Sequence, residues 1–562
     1  MGKIVYRIIL IIGVFFIVSS ALKAQVSLPP LERTITLNLS GTTIKEVLVN
    51  IEKEAVFSFA YRSSLINKTS RLTRSYVNKT VREILDDIFQ TELGYKQKGN
   101  YVILRTRTKL SKRETSIEGY FIDAQTKDKV PFVSIFDSIS LSSAVSDEYG
   151  YYLLKLNKKD SFNISTRKFG YEPQNIMLSK VEGSQVLNVQ LEPISIADST
   201  KKDTLTFIQK LKNFKLFKPS SKQEANLKNI KKPLIQNAQI SVVPYIGTNG
   251  QLSASTTVDY SFNIFGGVNA GVRRAELAGL FNINWDSVSY FQAAGWFNTV
   301  GGPQKGFQIA GLANLNLSSF EGVQVGGLLN RAKSFDGVQL GGLVNNIADT
   351  SKGVQVAGLV NIVKNTHKGV QIAGIVNYAK KVEGVQIGLI NLNDTISGVS
   401  IGFFNFSKKG YRQLEISTDE IFQSNISFKT GTHQFYNTFT AGYRFNDDLW
   451  MYGYGIGTSF TTGKKGRWFL DLQATNIQET DEVEYDDFNL LNKLTLSYNF
   501  KLSNKVSMAF GPSYNIILIE GSNTEMGTKL KDLTPYSFYN STNSNNFNVQ
   551  MWIGGYLALR FF

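Results

Sequence analysis

Polar and apolar positions alternate most strictly between Gly306 and Asn405. One phrase recurs there: GFQIAGLAN from Gly306, GVQVGGLLN from Gly322, GVQLGGLVN from Gly337, GVQVAGLVN from Gly353 and GVQIAGIVN from Gly369, then the shorter GVQIGLIN from Gly384 and GVSIGFFN from Gly398. Two weaker copies end at Asn282 and Asn298. A fixed period means one structural unit used many times. In the copy at Gly353, Val354, Val356, Gly358 and Val360 fall on one face of an extended chain, and Gln355, Ala357, Leu359 and Asn361 on the other. The β-branched and glycine content favours strand over helix. Polar segments such as 331–336 and 362–368 read as turns. A tilted strand of about 9–11 residues crosses a membrane with alternate residues toward lipid and lumen, so each copy is expected to be one transmembrane strand plus a turn.

On that expectation the polar face lines a lumen at Gln308, Asn314, Gln324, Asn330, Gln339, Asn345, Gln355, Asn361, Gln371 and Asn377. The rival reading is a β-solenoid, in which Asn and Gly at fixed phase stack as ladders within coils. Two features speak for the rival. Antiparallel barrel strands need not resemble one another. The copies at Gly384 and Gly398 also lack one residue, which flips the alternation unless a bulge absorbs it.

The same patterns divide the rest of the chain. Residues 30–106 carry a doublet. Thr43-x-x-Glu46 and Thr80-x-x-Glu83 are capping boxes, each opening an apolar helical stripe (Ile44, Val47, Leu48, Ile51; Val81, Ile84, Leu85, Ile88, Phe89), and strands flank both. This predicts a small α+β domain. Residues 115–194 change to short alternating strands with turns, as at Asp147-x-x-Gly150-x-Tyr152, and predict a small β-sandwich. Asp147 is expected to bond its own turn rather than form a site. Residues 195–233 read as a basic linker holding ten lysines, a solvated tether first of all, with a short basic amphipathic helix over 204–217 as the alternative. From 234 to 562 the text is barrel-like, with the repeats at 274–405. AQISVVPYIGTNG and STTVDYSFNIFGG are expected to be its first strands, and aromatic strands follow at 435–445, 449–460, 467–477, 490–500 and 506–519. The turn at Asn446-Asp447-Asp448 is tight, whereas 478–488 and 521–547 are long and polar. The expectation is tight turns at one end and long loops at the other. The fold class is therefore multi-domain: a small α+β domain, a small β-sandwich and a C-terminal transmembrane antiparallel β-barrel of about 16–20 strands.

Composition sharpens this. The 562 residues include no Cys and only His367 and His433, which argues against disulfides, thiolate nucleophiles and His-based metal sites. No cofactor is expected. Residues 1–24 pair Lys3 and Arg7 with the short apolar run 8–18 and small residues at Ser19–Ala21, and read as a secretory signal. Nucleic acid is an improbable partner for an exported chain despite its net charge of +16. The acidic residues Glu479, Asp481, Glu482, Glu484, Asp486 and Asp487 lack the spacing of a calcium loop and read as a solvated loop. No G-x-S-x-G, HExxH or Ser/His/Asp set is present, so an enzyme is not expected.

Four resemblances add to these readings. The order ITLNLSGTTIKEVLVNIEKEAVFSFAYRSSLI…TVREILDDIFQTELGYKQKGNYVILR resembles the STN domain of secretins and TonB-dependent receptors. It implies a periplasmic module that contacts a partner protein in signalling or assembly. The D-x-x-G-x-Y turn at Asp147 and the Gly170-Tyr171 step resemble the carboxypeptidase regulatory-like domain, a non-catalytic spacer or binding sandwich. Ser143-Ala144 departs from the usual Gly-Thr there. The AGL-x-N repeats after VVPYIGTNG resemble a surface-repeat family of exported bacterial proteins, which implies location and shape but no chemistry. The final MWIGGYLALRFF resembles an outer-membrane assembly signal, with Arg560 where an aromatic is usual. Together they imply a Gram-negative outer-membrane protein with periplasmic N-terminal domains and a receptor, signalling or transport-related role. The expected partners are outer-membrane lipid, a periplasmic protein reached through residues 30–106 and a small molecule whose identity is unknown. There is no room for a TonB-type plug and no clear TonB box. The alternatives are a passive porin for neutral solutes and a structural or adhesive surface protein.

Overall fold

The computed structural model describes residues 28–66, 70–89, 93–106, 114–179, 181–194, 220–462, 466–479, 489–534 and 536–561. The expected signal sequence, the 204–217 stretch of the basic linker, most of the acidic loop (480–488) and Phe562 lie outside them. The chain forms two compact units that divide at Asp198.

In the first unit both capping boxes form. The Glu46 carboxylate accepts from the Thr43 N–H at 2.9 Å, and the Thr80 and Glu83 groups exchange bonds of 3.1 and 3.2 Å. The caps satisfy amides left free at a helix start. They launch the helices Ile44–Ala55 and Val81–Phe89, whose apolar stripes share one core. Strand Thr34–Thr43 pairs antiparallel with Arg71–Thr80. Ser58–Ala60 runs parallel to Tyr101–Thr106, which pairs antiparallel with Leu93–Lys98. The segment after it packs two small sheets over a core of Ile117, Phe121, Tyr152, Leu154, Phe162 and their neighbours. Asp147 accepts from the backbone N–H of Tyr149 and Tyr151 at 3.0 and 2.9 Å, and Gly150 follows with φ +77°. The two modules meet at the buried Glu32. It receives Arg82 at 2.9 Å and the Tyr120 hydroxyl at 3.4 Å, and the Arg82 guanidinium lies 4.0 Å over the Tyr151 ring.

The second unit corrects the sequence reading at its centre. The repeats are parallel, not antiparallel. Each coil holds two strands, such as Gln304–Ala310 and Ala313–Asn316, and each pairs with its equivalent one repeat on: Gly306 with Gly322, Gln308 with Gln324, Asn314 with Asn330. This β-solenoid runs from Leu234 to Ser407. AQISVVPYIGTNG and STTVDYSFNIFGG contribute its first layers, not barrel strands, with Leu234–Val243 parallel to Thr256–Asn263. The phrase read as one strand has a corner within it. Gly358 and Leu359 turn the chain, so Leu359 points out although it shares the alternation of the buried Gln355. The residue missing from the copies at Gly384 and Gly398 is lost at that corner. No bulge is needed, and Gln371 still stacks on Gln386 and Asn377 on Asn391. The stretch read as the end of the linker forms helix Ser221–Asn229 behind a Ser220–Gln223 capping box, and its Leu227 packs on Ala254, Val268 and Ile283.

Only the last part of the chain closes into a barrel, and it has eight strands rather than 16–20. They are Tyr411–Asp419, Ser424–Gly431, Tyr436–Arg444, Leu449–Thr462, Gly466–Glu479, Asn489–Lys501, Val506–Ile519 and Asn548–Phe561. The last pairs with the first, Glu415 opposite Arg560, and leaves no open edge. Turns at 432–435 and 502–505 sit at the end that holds the strand terminus Phe561. The long segment 520–547 lies at the opposite end. The short turns at 420–423 and Asn446-Asp447-Asp448 lie with it, because Ser424 pairs with Tyr443 and Leu449 with Glu479.

Candidate functional site

The ten Gln and Asn residues expected to face a lumen lie inside the solenoid coils. All are fully buried. Their amides form two continuous ladders. In the first, Nε2 of Gln308, Gln324, Gln339, Gln355 and Gln371 each donates to Oε1 of the glutamine one coil before, at 2.9, 2.7, 2.6, 2.7 and 3.0 Å. In the second, Nδ2 of Asn314, Asn330, Asn345, Asn361 and Asn377 donates to Oδ1 of the next asparagine at 2.9–3.0 Å. The second amide proton goes to backbone, as from Asn361 to the Ile372 carbonyl at 2.7 Å. A primary amide suits this role because it carries donors and an acceptor on one planar group. Each rung adds roughly 1 kcal/mol net, and a missing partner costs more.

Two titratable groups are buried in the same coils: Glu276, which the sequence reading did not single out, and His367, noted there only as one of two histidines. Glu276 is fully buried and receives amide protons from Asn263, Asn269, Asn284 and Gln292 at 3.2, 3.0, 2.5 and 2.8 Å. Burial pushes its carboxyl up, against the pull of these four donors. His367 is buried beside Ser351, with Nδ1 2.8 Å from the Ser351 hydroxyl. Burial lowers it to about 4. A histidine neutral in the fold and protonated in the unfolded chain contributes stability that is full above the ordinary pKa near 6.5. That stability falls as the pH drops from there toward 4. The loss expected across that window is about 3 kcal/mol. Thermal melts at pH 7.5 and 5 should show a smaller acid-induced decrease for His367→Gln than for the parent. Equal decreases would mean that this imidazole does not stay neutral.

The barrel interior is filled by charge. Lys429 Nζ lies between Glu415 Oε2 at 2.9 Å and Asp471 Oδ2 at 3.0 Å. Arg560 Nε reaches the same Glu415 oxygen at 2.6 Å, and its Nη2 donates to the Ser497 hydroxyl at 3.1 Å. The Tyr436 hydroxyl donates to Asp471 at 2.7 Å. Lys493 pairs with Asp419 above this group. Glu420 accepts from Trp552 Nε1 at 2.7 Å and Asn515 Nδ2 at 3.0 Å. At the long-loop end, helix Glu525–Lys531 places Met526 and Leu530 against Met451, Leu491, Ile517 and Trp552. The space left among Glu415, Asp419, Thr440, Lys493 and Tyr556 is about 20 Å³, room for roughly one water. The signal that could have located these residues was present. Glu415, Lys429, Asp471 and Arg560 are charges on the inward, polar phase of strands whose outward phase is apolar.

A larger cavity of about 1240 Å³ opens at the short-turn end, beside the last solenoid coils. Its lining includes Lys409, Arg412, Arg467 and Lys501 and no acidic residue. Among the described residues there is no group of three or more His, Cys, Asp or Glu placed to hold a metal ion. No family model, curated protein or solved structure matches the chain.

Proposed function

We propose that the C-terminal barrel spans an outer membrane as a closed anchor, and that the protein serves there as a receptor or structural component rather than as a pore. The observation that carries this reading is the inverted polarity of residues 411–561. The wall presents Ile416, Leu470, Leu472, Leu496, Phe510, Ile553 and Leu557 outward, while the interior holds buried ion pairs. That is the polarity of a strand bundle in lipid. Full closure removes every edge that lipid cannot satisfy. Tyr452 and Trp450 toward one end and Trp468, Tyr498 and Phe500 toward the other fit the aromatic girdles of such barrels. The filled interior favours an anchor over a passage for neutral solutes.

The first unit fits a periplasmic role on this reading. Its STN-like residues 30–106 are the candidate surface for a protein partner, and the sandwich joined to them through Glu32 and Arg82 would hold that surface rigidly. The test is reconstitution of the full chain in a planar bilayer. Insertion with protease protection of 411–561 and without single-channel steps is expected. Stable conductance steps would overturn the closed anchor and restore the porin.

A further inference from the structure

The solenoid holds amide ladders inside, beside apolar stacks such as Phe320, Phe335, Val363 and Val382, and still exposes aliphatic and aromatic side chains outside. The outside is not uniform. Each coil has one apolar corner, occupied in successive layers by residues such as Phe265, Trp296, Leu312, Leu343, Ile375 and Phe403, which are 40–52% exposed. The opposite edge is charged. Lys305 pairs with Glu321 at 2.7 Å, Lys352 with Asp336 at 3.3 Å and Lys368 with Glu383 at 2.9 Å, each across one layer. At ~4.8 Å per layer, the apolar corner runs for about 43 Å from Phe265 to Phe403. An exposed apolar strip of that length marks an interaction surface.

The junction with the barrel says what covers it. The last coil abuts the outer barrel wall. Asn437 Oδ1 accepts from Asn405 N and Nδ2 at 3.0 and 2.6 Å, and continues the asparagine ladder into the barrel. The Phe403 ring stacks on Tyr454 at 4.7 Å and meets Phe439 edge-on at 5.9 Å. Tyr454 lies near the middle of strand Leu449–Thr462 and faces outward, within the apolar band. The apolar corner is therefore continuous with the barrel's apolar wall, at the barrel's mid-height. Gly398, near the charged edge, lines the basic cavity at the short-turn end. From Gly398 to Phe403 the extended chain spans about 16 Å, close to half of a ~30 Å hydrocarbon core.

Lipid tolerates such an element only if its backbone groups are paired. They are. At the corner, the N–H of Leu328 donates to the Leu312 carbonyl at 2.8 Å, that of Leu343 to Leu328 at 3.1 Å and that of Leu359 to Leu343 at 3.0 Å.

From this geometry, and resting on the spanning reading of the barrel, we propose that the solenoid extends sideways from the barrel in the membrane plane. Its apolar corner is sunk in the leaflet at the short-turn end, and its charged edge lies among the headgroups. The occupant of the strip is the lipid of the same bilayer.

The chain has no cysteine, so single-cysteine variants label cleanly. Leu343→Cys on the corner, Lys352→Cys on the charged edge and Leu496→Cys on the barrel wall would each carry an NBD fluorophore. The full chain would be reconstituted in phosphatidylethanolamine/phosphatidylglycerol vesicles. The expected result is that brominated lipid quenches the Leu343 label as strongly as the Leu496 label and aqueous iodide quenches neither, while iodide quenches the Lys352 label. Iodide quenching at Leu343 with lipid quenching retained at Leu496 would overturn the inference and leave the spanning barrel standing. A Leu343 label that neither agent reaches would mean that protein, such as a second copy of the chain, covers the strip, and would overturn it too. Iodide quenching at Leu496 would remove the spanning barrel and the inference together.

Discussion

Gly353→Ala is expected to disrupt the solenoid, with a cost above about 4 kcal/mol, in the range that only a few mechanisms reach. Gly353 has φ +105°, a region that L side chains rarely adopt. A Cβ there would stand 2.0 Å from the Gly337 carbonyl oxygen and 2.9 Å from its carbon. Neither chain can retreat, because Gly337 pairs with Gly322 behind it and Gly353 with Gly369 ahead. The strained conformation alone costs about 1–3 kcal/mol, and the backbone clash adds to it. Lys352→Ala is the neighbouring control. It removes one exposed ion pair with Asp336 and should change stability by less than about 1 kcal/mol. Limited proteolysis of the reconstituted chain separates the two. Gly353→Ala should be cut within 300–407 while 411–561 stays protected. A digestion pattern and melt like those of the parent would show that the layers are not stacked at this spacing.

That stack of glycines also explains which parts of the fold were legible in the sequence. Local signals were read correctly where they are local. Both capping boxes, the Asp147 turn and the last strands of the barrel fall where spacing put them. What spacing cannot give is the direction of pairing. Period-two alternation has the same form in an antiparallel membrane strand and in a solenoid arm, since in both the side chains alternate between two faces. The discriminating fact was the sameness of the copies. In a parallel stack each residue meets itself, Asn361 on Asn345 and Gly353 on Gly337, so every layer is held to the same residue at the same place. In an antiparallel barrel each residue meets a different one, and no such demand exists. The Gln and Asn positions were found because they repeat, but placing them in a lumen followed from the wrong pairing. Glu415, Lys429 and Asp471 were missed, and Arg560 was noted only as a departure from the terminal signal, for the opposite reason. They do not repeat, and contacts as distant as Glu415 to Arg560 form only when the last strand closes on the first.

Lys429→Met should destabilise the barrel by about 3–5 kcal/mol, because it leaves a buried carboxylate uncompensated. In the parent, two cations face two carboxylates: Lys429 bridges Glu415 and Asp471, and Arg560 holds Glu415 from the other side. All four side chains are nearly inaccessible to solvent. Methionine matches the length of the lysine stem but brings neither charge nor donor, so the packing survives and the electrostatic balance does not. Arg560 reaches Asp471 only at long range, its Nη2 4.0 Å from Oδ2 against 2.6 Å from its Nε to Glu415, so it replaces the lost lysine incompletely. Lys429→Met with Glu415→Gln restores neutrality inside the wall and should recover part of the loss, the recovery measuring the coupling within the group. Urea midpoints of the detergent-folded chain, followed by the gel shift between folded and heat-denatured forms, give both numbers. The result also bears on function. A loss below about 1 kcal/mol for the single variant would be the response of a hydrated pair, as at exposed sites. It would mean that water reaches Lys429 and that the lumen is not filled. A loss of the expected size, with partial recovery in the Lys429→Met/Glu415→Gln double variant, would tie stability to the ion pairs buried inside the barrel.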